Sequence, residues 1–218
     1  MDHTCINHIF IFCDNHDDVA QELIDFGFTE GTSRIHPNQG TRNRKFYFKN
    51  FYLEILWVHN EDEVMNKITA PTKLYERSKY AANGYSPLGL CLNYDTKDDA
   101  LFQNALIYKP TYLPEDMYIE VLHNDDAPSL PWTFRWKVDN NIGKNSELIV
   151  HDNGINTLTK VVFSLTKKQE VEAYTKYFKN SGTVCFENSQ KTSLTLYFDN
   201  AQTKCQKVFN TVSLVIEY

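Results

Sequence analysis

A carboxylate and an imidazole lie in two apolar segments, and these residue types bind metals and transfer protons. If residues 51–58 form a strand, alternation places Glu54 on the same apolar face as Tyr52. A carboxylate on such a face needs a metal, a cation, hydrogen-bond donors or a proton. His8 lies in the first apolar segment, 7–12, and imidazole with carboxylate suits a divalent transition metal. The alternative interpretation is that both residues are paired structural groups or face solvent at a sheet edge.

Two arginines are candidates for holding a ligand. The stretch 40–43, Gly-Thr-Arg-Asn, predicts a tight turn with glycine at positive φ. It equally suits a polar loop at the mouth of a site, where Arg42 would grip a carboxylate or phosphate. Arg135, within the aromatic segment 132–136, is either a stacked structural arginine or a ligand clamp. The candidate ligand-binding residues are Arg42, Asn43, Tyr52, Trp132 and Arg135.

His8 and Glu54 belong to an N-terminal unit that reads as β-α-β-β-β. Polar residues 14–18 offer an N-cap, and apolar residues at helical spacing end at Gly27. The predicted elements are a strand over 7–12, a helix over 15–26, and strands over 28–35, 44–48 and 51–58.

The same order of elements recurs at the C-terminal end. A β-rich run over 158–165 precedes a predicted helix over 167–180, which Thr166 and Gln169 open as a capping box. Three further apolar runs, 184–187, 193–198 and 212–218, then read as strands. The pattern predicts a second β-α-β-β-β unit, and the helices 15–26 and 167–180 are each expected to cover one face of a strongly bent sheet.

A weaker copy lies between these two units. Residues 88–94 and 132–136 read as strands, and residues 61–85 read as a helical connector. The segment 118–126, Tyr-Ile-Glu-Val-Leu-His-Asn-Asp-Asp, echoes 52–62 with two residues dropped. The echo predicts that Glu120 occupies a position related to that of Glu54, which makes Glu120 a third candidate metal ligand.

Composition and charge narrow the class of partner. The 218 residues carry a net charge of −6, which gives no reason to expect nucleic acid or an anionic membrane as a partner. No apolar run approaches the length of a membrane span or of a signal-peptide core. The five cysteines are scattered and form no CxxC pair. These features favour a cytoplasmic protein with a small-molecule ligand.

Two blocks resemble the vicinal-oxygen-chelate superfamily, and its glyoxalase-like domain family in particular. The first block is 36–43, His-Pro-Asn-Gln-Gly-Thr-Arg-Asn, and the second is the Tyr-Leu-Glu of 52–54. The segment 130–136 is similar to a further stretch of that family. The resemblance covers about 1–137, and 156–218 only by element order.

The resemblance implies a cup formed by paired modules, in which a metal chelates two adjacent substrate oxygens. In metal-using members each module contributes one ligand from its first strand and one from its last. By position His8 and Glu54 match this pair. The middle copy contributes only Glu120 as a candidate ligand, because its first strand, 88–94, holds no histidine or carboxylate. The implied cofactor is a divalent Zn, Ni, Mn or Fe ion. The implied function is a lyase, isomerase or dioxygenase acting on a small oxygenated metabolite.

The resemblance leaves a second function open. A non-catalytic protein of the bleomycin-resistance type would sequester an aromatic or cationic small molecule in the same cup. The aromatic content of 14% and the incomplete ligand set favour this alternative.

The sequence therefore predicts an α+β fold of repeated βαβββ modules, whose curved mixed sheets form a cup. A glyoxalase-like domain is expected over 1–137, comprising a module at 1–60, the connector 61–85 and a weaker module at 86–137. A C-terminal module is expected over 156–218, beyond a boundary at 138–155. Three modules leave one without an internal mate, which favours a homodimer.

Overall fold

Two β-sheets make up most of this fold. The computed structural model describes residues 5–122, 124–136, 148–166, 172–179 and 181–218. Over those residues one sheet has eight strands and the other has five, with a few short helices between them. The expected α+β class is confirmed.

The first βαβββ module forms where the sequence predicts it. Asp17 and Asp18 in the first turn of its helix favour the helix N-terminus, and Gly27 follows the helix at φ +104°. The first strand pairs in parallel with the fourth, and the third is antiparallel to both the second and the fourth. The elements are β1 (Ile6–Phe12), α1 (His16–Asp25), β2 (Arg34–His36), β3 (Thr41–Tyr47) and β4 (Tyr52–Val58).

The second module has the same strand order and pairing, with shorter elements. Its strands join the first module through antiparallel β1 and β5, so that the sheet order β2-β3-β4-β1-β5-β8-β7-β6 has two mirrored halves. The connector before it is helical, as predicted, with α2 (Glu61–Val64), α3 (Leu74–Ser78) and α4 (Tyr80–Asn83). The second module consists of β5 (Leu88–Asn93), α5 (Asp99–Phe102), β6 (Leu106–Tyr108), β7 (Ile119–Val121) and β8 (Trp132–Trp136).

The eight-stranded sheet curls until the segments that follow its two edge strands touch. The hydroxyl groups of Tyr108 and Tyr112 both donate to Oε1 of Gln39, at 3.2 Å and 2.8 Å. Asn38 Nδ2 donates to Thr111 Oγ1 at 2.8 Å. The predicted cup is therefore a half-barrel whose rim is bridged by side chains.

Alternation divides the strands between the inside of the cup and its convex face. Phe10 and Phe12 of β1 pack inside the cup. Ile9 and Ile11 pack on the convex face, in the same core as the apolar side of α1. The cup and the convex face therefore have separate hydrophobic cores.

The C-terminal segment forms the five-stranded sheet, and its connections differ from those of the two modules. Strands β9 and β10 are parallel neighbours joined through α6, whereas in both modules the first strand pairs with the fourth. The sheet order is β10-β9-β11-β13-β12. Its elements are β9 (Leu158–Leu165), α6 (Glu172–Phe178), β10 (Val184–Asn188), β11 (Ser193–Phe198), β12 (Gln206–Phe209) and β13 (Leu214–Glu217).

The expectation of a third βαβββ module over 156–218 is corrected by this pairing. Apolar periodicity reports the order of strands along a chain, but it does not report which strands hydrogen-bond to each other. The argument for a homodimer from an unmatched third module no longer applies. The C-terminal sheet instead packs its apolar face into the core behind the cup, where the hydroxyls of Tyr174 in α6 and Thr133 in β8 lie 2.6 Å apart.

Several element boundaries refine the sequence prediction. Strand β2 is shorter than predicted, and the short strands β6 and β12 were not predicted at all. Parts of four predictions lie outside the described residues: 1–4 and 137 of the expected 1–137 domain, 138–147 of the boundary segment, 167–171 and 180 of the second helix, and His123 of the echo. Within the described part of the chain, no helix has the length and apolar character needed to cross a membrane.

His151 links the segment before the C-terminal sheet to the first module as a neutral imidazole. The amide of Thr29 donates to Nδ1 at 3.0 Å, and Nε2–H donates to the carbonyl of Tyr47 at 3.0 Å. The ring also packs on Phe28 and Phe48. Burial lowers the pKa of His151 below its usual value of 6.5. Both hydrogen bonds need the neutral form, because a protonated ring has no acceptor left for Thr29.

His151 is expected to make stability fall as pH falls below about 6.5. In that range the unfolded chain binds the proton more readily than the native chain, so protonation favours unfolding. We expect His151→Gln to be less stable than wild type at pH 7.5 and to lose less further stability by pH 5.5. Urea unfolding at the two pH values measures the difference. Equal losses in the two proteins would contradict the prediction, since His8 and His36 titrate alike in both.

Candidate functional site

The inside of the cup holds a cavity of about 90 Å³ lined by charged, amide and aromatic side chains. Alternation brings these residues to one face: β1, β4 and β8 form the floor and the aromatic wall, and β2 and β3 form the polar side. The lining includes His8, Phe10, Arg34, His36, Asn43, Lys45, Tyr52, Glu54, Trp132, Phe134 and Trp136.

Glu54 is enclosed at the polar side of the cavity. It is only 5% exposed, and Asn43 Nδ2 donates to its Oε1 at 2.5 Å. The orientation of Asn43 is set by the backbone amide of Arg34, which donates to Asn43 Oδ1 at 2.7 Å. Burial raises the pKa of Glu54 from 4.5 to about 7, against the opposing effects of Asn43, Lys45 and Arg34. This carboxyl group therefore gains and loses its proton near neutral pH.

His8 faces Glu54 as a neutral imidazole with a defined tautomer. Asn7 Nδ2 donates to Asn93 Oδ1 at 2.7 Å, which leaves Asn7 Oδ1 to accept from His8 Nδ1–H at 2.8 Å. Nε2 of His8 therefore carries a lone pair and lies 3.6 Å from Glu54 Oε2. Burial, followed by Lys45 and His36, lowers the pKa of His8 to about 3. The ring stacks on Tyr52 at 4.4 Å between centroids.

The facing atoms of His8 and Glu54 are both acceptors when the carboxyl group is ionised. Two lone pairs at this distance repel unless a proton or a cation lies between them. A proton on Glu54 Oε2 satisfies both atoms, because it donates toward His8 Nε2. The pair is therefore arranged to hold one proton and to release it to a base or a substrate.

Metal binding was the first chemistry expected of this pair, and the donor set does not fit a resident metal. Catalytic metal sites use three protein ligands as a rule. In the part of the chain that the structure describes, no three His, Cys, Asp or Glu residues come close enough to hold an ion. The second module presents Trp132 and Phe134 of β8 to the cavity, where a second pair of ligands would be required.

Five of the eight candidate residues lie together in the cavity. They are His8, Asn43, Tyr52, Glu54 and Trp132. Trp132 Nε1 donates to the carbonyl of Thr72 at 2.8 Å, so its ring is held as part of the wall. The predicted proximity of His8 and Glu54 on the concave face is confirmed.

The other three candidates lie on the opposite face of the sheet. Glu120 and Arg135 are cross-strand neighbours, joined at 2.8 Å between Oε2 and Nε, behind the cup. Arg42 is exposed on the outer face of β3, with its guanidinium 5.8 Å from the ring centre of Trp57. The expectation that these residues contribute to the cup is therefore wrong. The predicted turn is confirmed only at Gly40, which has φ +76° and where a Cβ would lie 2.3 Å from Asn60 O, whereas residues 41–43 begin strand β3.

The cup also contains residues that were not singled out from the sequence. Lys45 is the direct cross-strand partner of Glu54, and alternation from Asn43 would have placed it inside. Phe134 lies between Trp132 and Trp136 on the same face of β8 and could have been found in the same way. Arg34 and His36 lie on β2, where the predicted strand ended at 35.

The fold has two βαβββ modules around one cavity, which is the arrangement that the resemblance to the vicinal-oxygen-chelate superfamily implies. Residues 6–100 match the model of the glyoxalase-like domain family. No curated protein has a sequence that matches the chain significantly.

Sixty-six chains among the solved structures match this fold. A hypothetical protein from Staphylococcus aureus, 14% identical, has a TM-score of 0.59 and covers 97% of this chain and 98% of its own. A hypothetical protein from Bacillus halodurans C-125 is 10% identical, with a TM-score of 0.43 over 62% of this chain and 95% of its own. Methylmalonyl-CoA epimerase from Streptomyces coelicolor is 20% identical, with a TM-score of 0.40 over 62% and 98%. The Staphylococcus aureus protein therefore supports the fold over nearly the whole chain.

Gly89 gives the aromatic wall its position, because Phe10 lies over it. Gly89 and Phe10 are cross-strand partners, and a Cβ at position 89 would lie 2.0 Å from the Phe10 ring. We expect Gly89→Ala to cost about 1–3 kcal/mol of stability as the ring is displaced. The double variant Phe10→Leu/Gly89→Ala should recover part of this loss relative to the sum of the single changes. Denaturant unfolding of the four proteins measures it, and strict additivity would contradict the contact.

Proposed function

We propose that this chain is a glyoxalase-like enzyme that moves a proton at a carbon next to a carbonyl group, in an isomerase or lyase reaction on a small molecule. The observation that carries the proposal is Glu54, enclosed in the cavity with a pKa near 7 and facing a neutral histidine. A base with a pKa near the operating pH is largely present in its basic form and is still strong enough to take a proton. Carboxyl groups with such displaced pKa values are concentrated at catalytic sites.

In this reaction Glu54 takes a proton from the substrate carbon, and the electron pair of the C–H bond passes to the carbonyl oxygen as an enolate. His8 Nε2 then accepts a hydrogen bond from the protonated carboxyl group and holds the proton in place. Lys45 and Arg34 supply positive charge for the enolate oxygen in a partly water-excluded site. The proton returns to carbon, or the enolate expels a leaving group. Asn43 keeps the carboxylate in position through its hydrogen bond to Oε1.

This mechanism uses no metal, and that part of the proposal has its own test. Two protein donors fall short of the set that Zn, Ni, Mn or Fe takes in catalytic sites, including the three ligands of iron dioxygenases. We therefore propose no dioxygenase reaction. We expect the melting temperature of untagged protein to be unchanged by Zn²⁺, Ni²⁺, Mn²⁺, Fe²⁺ or a chelator. A metal-dependent rise that Glu54→Ala abolishes would show a bound ion and would contradict the metal-free mechanism.

The direct test of function is exchange of carbon-bound protons in D₂O, followed by proton NMR. Pyruvate and hydroxyacetone are suitable probes, because each has exchangeable C–H groups beside a carbonyl and only pyruvate is an anion. We expect protein-dependent exchange with one or both probes, and we expect Glu54→Gln to slow it by about 10²–10⁴-fold. The absence of protein-dependent exchange with both probes would contradict the proposed function for substrates of this size.

The second candidate function is a non-catalytic binding protein, and the aromatic wall favours it. Phe10, Trp132 and Phe134 pack against one another with ring centres 4.4–6.4 Å apart. Such a wall suits a planar ligand. Tight ligand binding that is the same in wild type and Glu54→Gln, without proton exchange, would favour this function.

For both candidate functions we propose a cytoplasmic location. The cysteines of the described residues are free thiols, which supports it.

A further inference from the structure

Two cationic side chains face the cavity near Glu54 without a close ion pair to any described carboxylate. Arg34 on β2 and Lys45 on β3 both line the cup, on adjacent antiparallel strands. Among the described residues, neither forms an ion pair within 4 Å. Their positive groups instead lie near aromatic rings, Arg34 at 5.1 Å from the centre of Tyr112 and Lys45 at 5.2 Å from that of Tyr47. Arg44, on the other face of β3, has two carboxylate partners, Glu30 and Asp17.

The cavity is therefore positive in a protein whose net charge is −6. Among the described residues that line it, Glu54 is the only carboxylate, and His8 and His36 are neutral because their pKa values are lowered to about 3. The two cations thus outnumber the single carboxylate. A concave site with an excess of one charge attracts ligands of the opposite charge.

We propose that Arg34 and Lys45 form an anion subsite at the polar side of the cup, and that the ligand is a short-chain oxo acid whose carboxylate binds there. The identity of the substrate rests on the proposed function, whereas the anion subsite does not. A planar guanidinium and an ammonium group on neighbouring strands suit a carboxylate, which accepts from both.

The spacing within the cup sets the size of this acid. Lys45 and Glu54 are direct cross-strand partners, and the Cβ atoms of such pairs are about 5 Å apart. A carboxylate bound by Lys45 therefore lies only a few bonds from a carbon that Glu54 deprotonates. The cavity of about 90 Å³ is smaller than the roughly 150 Å³ cavity that admits benzene. Both features favour an acid of about three to five carbons.

Titration of pyruvate into the protein tests the subsite without any turnover. We expect Arg34→Gln and Lys45→Gln each to weaken binding by about tenfold or more, as the loss of a charge-assisted hydrogen bond predicts. The matched control is Arg42→Gln, which removes a cation from the same strand as Lys45 on its outer face, also beside an aromatic ring. This control should bind pyruvate as wild type does. The subsite would be overturned if wild type did not bind pyruvate, or if Arg34→Gln and Lys45→Gln bound it as tightly as wild type does. A loss of affinity in Arg42→Gln equal to that in these two variants would overturn it as well.

Inorganic phosphate and Glu54→Gln separate the remaining outcomes. Binding of phosphate more tightly than pyruvate would overturn the assignment to a carboxylate. Glu54→Gln should retain or strengthen pyruvate binding, because it removes the one negative charge beside the subsite. If wild type binds pyruvate through Arg34 and Lys45 but exchanges no proton of either probe, the subsite stands and the proposed function fails. If hydroxyacetone exchanges through Glu54 but pyruvate does not bind, the function stands and the subsite fails.

The pH dependence of binding gives a further signature of the same geometry. The titratable groups around Glu54 are Lys45, Arg34 and His8, together with Tyr52 and Cys91, whose pKa values are raised well above the usual range. Among the described groups that line the cavity, only Glu54 changes charge between pH 6 and 8, because the pKa values of His8 and His36 are lowered to about 3, so pyruvate should bind more tightly at pH 6. This dependence should be absent in Glu54→Gln, and its persistence there would contradict the placement of the anion beside Glu54.

Discussion

Glutamine in place of Glu54 is expected to lower the rate of proton exchange by about 10²–10⁴-fold, the usual contribution of a general base. The amide that Glu54→Gln introduces has nearly the shape of the protonated carboxyl group. Its oxygen accepts from Asn43, and its nitrogen donates to the lone pair on His8 Nε2. The change therefore removes the base and keeps the contacts, so a loss of exchange reports chemistry and not misfolding.

The same substitution is expected to raise stability at alkaline pH. The pKa of Glu54 is raised from 4.5 in the free carboxyl group to about 7 in the fold. A group with a raised native pKa stabilises the fold below its unfolded pKa, and this contribution is lost as pH rises through about 7. At about 1.4 kcal/mol per pH unit, the interval from 4.5 to 7 corresponds to roughly 3 kcal/mol as an upper figure. Glutamine does not ionise, so the variant keeps this contribution at pH 8.

The control for both effects is Glu187→Gln, which makes the same chemical change at an exposed position of the C-terminal sheet. It should leave both the exchange rate and the pH dependence of unfolding as in wild type. Exchange is measured by NMR in D₂O, and stability by urea unfolding at pH 5, 7 and 8. Full exchange activity in Glu54→Gln would show that Glu54 is not the base. If Glu54→Gln were clearly less stable than wild type at pH 8, the ionised carboxylate would be stabilised by the fold.

The juxtaposition of His8 and Glu54 could be predicted from the sequence because it depends on two local rules. Alternation decides which side chains share a face, and the module order makes the first and fourth strands neighbours. Both strands are long and apolar, so their faces are unambiguous. The same rules, applied to β3, would have added Lys45.

The position of Glu120 could not be predicted in this way. The echo between 118–126 and 52–62 compares strands of different rank, that is, strands at different positions in the order of their modules. Glu54 lies on the fourth strand of its module, whereas Glu120 lies on β7, the third strand of the second. The three-residue strand β6 carries too weak a pattern to be counted, so the ranks were shifted by one. The shift of rank explains why Glu120 was misplaced, whereas Arg135 on β8 lies on the outer face by simple alternation with Phe134 and Trp136. Long-range pairing, not local pattern, decides the position of Glu120.

The largest effect on stability is expected from Arg135, which was a ligand candidate and is instead the centre of a buried network. It is only 3% exposed, and it donates to Glu120 Oε2 at 2.8 Å and to Asp99 Oδ1 at 2.8 Å. Its guanidinium also contacts the carbonyl of Asp95 at 3.0 Å and lies 4.5 Å from the centre of the Phe102 ring. Arg135→Ala removes all of these contacts and leaves the mostly buried carboxylate of Glu120 without its cation.

We expect Arg135→Ala to cost about 3–5 kcal/mol, the usual result of breaking a buried pair from one side. For a chain of this size that corresponds to a fall in melting temperature of roughly 10 °C. The double variant Arg135→Met/Glu120→Leu should be considerably more stable than Arg135→Ala, because it leaves no unpaired charge. Calorimetry of the three proteins measures this. Pyruvate binding at low temperature should be unchanged in the folded double variant, because the pair lies behind the sheet. If the folded double variant lost pyruvate binding, Arg135 and Glu120 would have to be counted as ligand-site residues. If Arg135→Ala were as stable as wild type, the network would contribute nothing to the stability of the fold.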